Sequence, residues 1–131
     1  MRYTRQRLLV IFMLIIALVI SGVPKYPKLG MDSYNGWFAY LAQDNLLFVK
    51  RYPTYPKRVY NEIAGLTISI YYTKEKCELE PIGPKEYIAP GESVSFTEDW
   101  WLLPHKFPKA LNSENLKRVK NLIDKKCQAK K

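Results

Sequence analysis

Leu66-Thr-Ile-Ser-Ile-Tyr-Tyr-Thr73 alternates large apolar side chains with smaller or polar ones over eight residues. In an extended chain successive side chains point to opposite faces, so Leu66, Ile68, Ile70 and Tyr72 share one face. Thr67, Ser69, Tyr71 and Thr73 share the other. That period of two predicts a half-buried antiparallel strand. Downstream, Cys77-Glu-Leu-Glu80 continues the alternation with Cys77 and Leu79 inward. Upstream, Asn45-Leu-Leu-Phe-Val-Lys50 reads as a buried strand ended by Arg51-Tyr-Pro-Thr-Tyr-Pro56, whose prolines have no ladder donor. Val59-Tyr-Asn61 reads as a further short extended piece. Trp37-Phe-Ala-Tyr-Leu-Ala42 suits a short helix or a first strand equally well.

Ile88-Ala-Pro-Gly-Glu-Ser-Val-Ser-Phe-Thr97 joins a Pro-Gly turn to a strand with Val94 and Phe96 inward. Proline presets φ at the first turn position and glycine accepts the positive φ of the second. Over about ten residues this turn and strand resemble one that recurs in small immunoglobulin-like sandwiches. That resemblance implies a fold and no function. Short strands separated by Gly and Pro signals support the same class: mostly β, a small antiparallel sandwich-like domain. Trp100-Trp-Leu-Leu103 follows, and Pro104-His-Lys-Phe-Pro108 closes the β region.

The last segment changes period. Leu116, Val119, Leu122, Ile123 and Cys127 recur at steps of three and four, behind a capping Asn112 or Ser113 and with Glu114 at the positive end of the dipole. A C-terminal amphipathic helix over about 113–127 follows from that spacing. Lys117, Arg118, Lys120, Lys125 and Lys126 occupy much of its remaining surface.

The first 23 residues are of another kind. Arg2, Arg5 and Arg7 precede an unbroken apolar run from Leu8 to Ile20, which fades into Ser21-Gly22-Val23-Pro24. That is the layout of a signal peptide or a single membrane anchor, and it predicts an N-terminal hydrophobic helix. Leu8–Val23 as a helix is about 24 Å long, short of a hydrocarbon core of roughly 30 Å, which favours cleavage. The lack of an Ala-x-Ala site favours retention, with Arg7 and Lys25 snorkelling. In both cases the basic end stays cytoplasmic and the rest lies in the periplasm or outside the cell. No cysteine lies in this segment, which excludes a lipoprotein. Residues 24–30, with two prolines and a glycine, read as a linker, and 31–131 as one extracytoplasmic domain.

Charge divides along the same lines. The net charge is +9, but residues 24–104 hold nine basic and ten acidic side chains, while 105–131 hold nine basic against Glu114 and Asp124. A neutral body with a basic C-terminal helix points to anionic lipid or an envelope polymer as a partner, not to nucleic acid.

Catalytic and cofactor signals are missing. His105 is the one histidine, no Gly-x-Ser-x-Gly elbow exists, and there is no phosphate-binding glycine loop. Glu78, Glu80, Glu98 and Asp99 keep a small hydrolase open as a last alternative, but each suits the polar side of a strand or turn. The expectation is a non-enzyme without cofactor or metal. In an oxidising compartment Cys77 and Cys127, each on an apolar face, are expected to form a disulfide tying helix to sheet. Trp100 and Trp101 are neighbours on a strand and face opposite sides, so one is core and the other a candidate binding residue. The function expected is protein binding in the cell envelope, as an accessory subunit, inhibitor or immunity-type protein.

Overall fold

The computed structural model describes residues 9–12, 17–20, 25–42, 44–110 and 112–128. In chain order its elements are β1 (Leu9–Phe12), β2 (Ala17–Ile20), β3 (Lys28–Met31), β4 (Trp37–Leu41), β5 (Leu46–Arg51), β6 (Ile68–Tyr72), β7 (Cys77–Pro81), β8 (Asp99–Pro104) and α1 (Ser113–Lys126). Among the described residues all strand pairs are antiparallel. The chain is therefore mostly β with one C-terminal helix. Its described residues form two compact units: one takes those up to Gly22, Trp37–Arg51 and those from Asp99 onward, the other those from Lys25 to Gly36 and Tyr52–Glu98.

The helix-bearing unit is built on β4, β5 and β8, with β1 beside β4 and β2 beyond it. Register decides what each face carries. Ala39 pairs with Val49 and Leu41 with Leu47, while Val49 pairs with Trp101 and Leu47 with Leu103. These residues form the face that α1 covers, where Val119, Ile123 and Cys127 pack against Trp37, Ala39, Leu41, Leu47 and Val49. Leu47, Val49 and Ile123 have no exposed surface at all. The helix starts where Asn112 accepts a hydrogen bond from the Asn115 N–H at 3.0 Å, which satisfies one donor of the first turn. Its last N–H bond runs from Cys127 to the Ile123 carbonyl at 2.8 Å.

Asn45 holds the β4–β5 hairpin at φ 66°. Asparagine tolerates this left-handed conformation better than most residues. The same residue ties down the chain after β8, because its carbonyl accepts from the His105 N–H and its side-chain oxygen from the Phe107 N–H, both at 2.8 Å. Asn45→Ala combines left-handed strain with the lost Phe107 bond and is expected to cost about 2 kcal/mol in urea unfolding. Asn45→Gly removes the strain and is expected to cost about half as much.

The second unit carries β3, β6 and β7, with β6 in the middle. The stretch Leu66–Thr73 contains β6 and its alternation is as read: Ile68, Ile70 and Tyr72 are buried on one face. The other face is buried too, at Thr67 and Ser69. The reason is the loop after β3. Ser33 donates its N–H to Thr67 Oγ1 at 2.7 Å, and the threonine hydroxyl lies 3.0 Å from the Ser33 carbonyl and 3.2 Å from Asp32 Oδ1. The Thr67 side chain is thus buried just ahead of β6 because a loop caps it, whereas the buried Ser69 hydroxyl within β6 has no hydrogen-bond partner among the described residues.

Two expectations are corrected and one open question is decided. The helix expected over the N-terminal apolar run is not formed in the described residues: Leu9–Phe12 and Ala17–Ile20 are strands paired with each other. Val10, Ile11, Val19 and Ile20 are β-branched, and an apolar run without periodicity fits a buried strand as well as a helix. Arg2, Arg5, Arg7 and residues 21–24 lie outside the described residues. No helix among the described residues is long and apolar enough to cross a membrane. Second, the strand read over Ile88–Thr97 joins no ladder, and Val94 is 53% exposed. Only Phe96 turns inward, because it has Gly83 to lie on. The 37–42 segment, left open between helix and strand by its sequence, contains strand β4, Trp37–Leu41.

Candidate binding surface

β8 ends its sheet, and its pattern separates the two tryptophans. Trp101 turns toward α1 and packs on the core, while Trp100 turns away and is 62% exposed. Two residues on, Leu102 lies on the same face and is 63% exposed. The register sets Lys50 across from Trp100 and Phe48 across from Leu102. Phe48 meets the indole edge-on, ring centroids 5.4 Å apart and planes at 89°. The Lys50 ammonium lies 4.6 Å from the Trp100 ring centre and 5.9 Å from the rings of Phe38 and Phe48. A cation over an aromatic face is attracted by the ring quadrupole, more strongly where water is excluded, and Lys50 is buried. Trp100 is thus held in place by side chains on β5 while most of its surface meets solvent. Holding an exposed aromatic this way lowers the entropy lost when a partner covers it.

The basic residues of α1 do not gather in the same way. Lys117, Arg118, Lys125 and Lys126 are exposed and Lys120 is half-buried. Arg118 pairs with Glu114 at 2.5 Å, Lys120 pairs with Asp124, and Arg51 lies 3.7 Å from the same aspartate. Both acids of the helix are therefore taken up by neighbours, each i,i+4 pair adding only about 0.3–0.5 kcal/mol. At 100° per residue Arg118 and Lys125 lie about 20° apart, with Lys117 and Lys126 about 80–100° to either side of them.

The expected Cys77–Cys127 disulfide is not formed: both are free thiols. Each does face inward, but into the core of its own unit. Cys77 starts β7, opposite Tyr72, whereas Cys127 closes α1 against Val119 and Ile123. An inward pattern reports burial and not which core receives the side chain. Burial, with Glu78 adding to it, pushes the Cys77 thiol up to about 11, and burial also raises Cys127 against the opposing charge of Arg51. Such thiols are poor nucleophiles at neutral pH. Alkylation of Cys77 is expected to rise roughly tenfold per pH unit until about pH 11, followed by intact mass. A raised thiol pKa means the folded state holds its proton longer, so this contribution to stability is complete below pH 9 and is lost between 9 and 11. Cys77→Ala should accordingly flatten the fall of the melting temperature over that window.

Among the described residues no three His, Cys, Asp or Glu side chains come together in a way that could hold a metal ion. His105 stands in the loop after β8, its pKa lowered by burial. Trp100 against Trp101 was legible from strand alternation. Lys50, Phe48 and Leu102 were not, since only the β5–β8 register brings them to Trp100. Comparison with known protein families, curated proteins and solved structures found no match to this chain.

Proposed function

We propose that this chain is a non-enzymatic binding protein of the cell envelope, brought to the membrane by Leu8–Val23 and engaging a protein partner through the surface around Trp100 and Leu102. The observation that carries the reading is the pair of large side chains, each more than 60% exposed, side by side on the terminal strand of a sheet. Fully burying one such apolar side chain is worth about 1.5–3 kcal/mol, and tryptophan is among the residues most often central to an interface. The basic start ahead of the apolar run supports export of the rest of the chain, with residues 31–131 outside the cytoplasm. An accessory subunit, an inhibitor and an immunity-type protein are roles that use such a surface without catalysis.

A second reading, attachment to anionic lipid or envelope polymer, is favoured by Lys117, Arg118, Lys125 and Lys126, all exposed on α1. Each charge near an anionic surface adds about 1 kcal/mol, and Glu114 already faces Arg118. The two readings separate in one pull-down from detergent-solubilised envelopes. Under the first, a defined partner stays with the chain at high salt, survives Lys117→Glu with Lys125→Glu, and is lost with Trp100→Ala and Leu102→Ser. Binding that salt abolishes and only the lysine substitutions weaken belongs to the second reading.

A further inference from the structure

The segment proposed to reach the membrane also has a place in the fold, and it cannot hold both at once. Within Leu8–Val23, residues 9–12 and 17–20 are strands β1 and β2 of the helix-bearing sheet. β1 lies directly against β4, with Val10 across from Leu41, Ile11 from Tyr40 and Phe12 from Ala39.

β4 runs through the core of that unit, its Trp37, Ala39 and Leu41 buried under α1. The Ala42 N–H donates to the Leu46 carbonyl at 2.8 Å, which sets the alternation of the β4–β5 ladder. Phe38 and Tyr40 therefore turn their backbone groups toward β5, and Trp37, Ala39 and Leu41 turn theirs to the opposite edge. Among the described residues β1 is the strand on that edge. Ala39 and Leu41 thus exchange backbone hydrogen bonds with Phe12 and Val10, and Ile11 with Tyr40 is the non-hydrogen-bonded pair between them.

The same segment has a second way to satisfy its backbone. Leu8 to Ile20 holds no polar side chain, so lipid accepts the whole run. Lipid offers no hydrogen-bond partner and admits no open sheet edge, so in a bilayer these N–H and carbonyl groups must bond to one another along a helix. Pairing with β4 and insertion therefore use the same groups and exclude each other.

We infer that this segment exchanges between β4 and the bilayer, and that its pairing with β4 is the device that keeps the chain off the membrane. The inference rests on the membrane reading above. Insertion takes β1 away and leaves the Ala39 and Leu41 backbone as an open edge, while the β4–β5 ladder and α1 stay in place.

The test uses the full-length chain, made by cell-free synthesis without lipid or detergent and then mixed with phosphatidylcholine vesicles. Their neutral surface gives the basic helix nothing to hold. In the wild type, amide exchange at Ala39 and Leu41 is expected to be slow in buffer and roughly tenfold faster or more on the vesicles. Phe38 and Tyr40, bonded toward β5, are expected to change far less. Ile11→Cys with Tyr40→Cys puts two thiols at a non-hydrogen-bonded pair, where Cα atoms lie about 4.5 Å apart and a disulfide fits. Oxidised, with the 11–40 linkage located by peptide mass, this variant is expected to stay behind in vesicle flotation. Reduced, it is expected to float with the wild type.

Fast exchange at Ala39 and Leu41 already in buffer overturns the inference, because β1 is then not on the sheet. Unchanged slow exchange in the vesicle-bound wild type overturns it too, since β1 has then not left β4, and so does equal flotation of the oxidised and reduced variant. A wild type that does not float at all overturns the membrane reading itself, and the exchange falls with it.

Discussion

Truncating Ile123 to alanine is expected to lower the unfolding free energy by about 3 kcal/mol, and Ile123→Asp is expected to leave the sheet under α1 without a cooperative transition. Ile123 is fully buried where the helix meets Ala39, Leu41, Leu47 and Val49. Its removal leaves a cavity between a helix and a sheet that are each held by the other. Alanine costs the lost transfer energy of the side chain plus that cavity. Aspartate adds a charge to a site whose neighbours are all apolar, and a domain of this size has only about 5–15 kcal/mol to lose. Asn121 is exposed on the same helix, so Asn121→Ala should move the urea midpoint hardly at all. Equal effects at positions 121 and 123 would mean that α1 is not docked as described.

Gly36→Ala is the second large effect, expected at about 3 kcal/mol against about 1 for Gly91→Ala. Both glycines have positive φ, +71° and +87°. They differ in what a methyl group would meet. At Gly36 a Cβ falls 3.1 Å from the Tyr52 carbonyl, and at Gly91 nothing lies within 4 Å. The Tyr52 backbone has little room to yield, because its N–H donates to the Gly36 carbonyl at 3.0 Å. The difference between the two variants thus isolates the backbone clash from the conformational penalty. Thermal unfolding of both, with Gly36→Asn as a left-handed-tolerant third, gives that difference directly.

Much of the fold is legible because burial imposes a period. β6 and β7 are readable from two-residue alternation and α1 from three- and four-residue steps, with a cap at Asn112 or Ser113, of which the structure uses Asn112. What was not legible depends on the receiving surface. Leu8–Ile20 has no polar interruption to separate a helix from a strand, so its strands β1 and β2 leave no trace in the pattern. Val94 alternates as a buried residue does, yet among the described residues it remains 53% exposed. Cys77 and Cys127 both point inward, and inward turned out to mean two different cores. For the candidate surface, alternation separates Trp100 from Trp101. Lys50 lies fifty residues away, and only the pairing of β5 with β8 makes it a neighbour. Pairing between distant strands is set by the whole sheet and not by either segment.

Site-specific photocrosslinking in intact cells bears most directly on the proposed role. A photoreactive phenylalanine analogue replaces Leu102 in one strain, Lys117 in a second and the exposed turn residue Lys74 in a third. A discrete protein adduct is expected from position 102, lost when Trp100→Ala is added, with no comparable band from 74 or 117. Adducts of equal strength from all three positions, or none from 102, would contradict a partner-binding surface at Trp100 and Leu102.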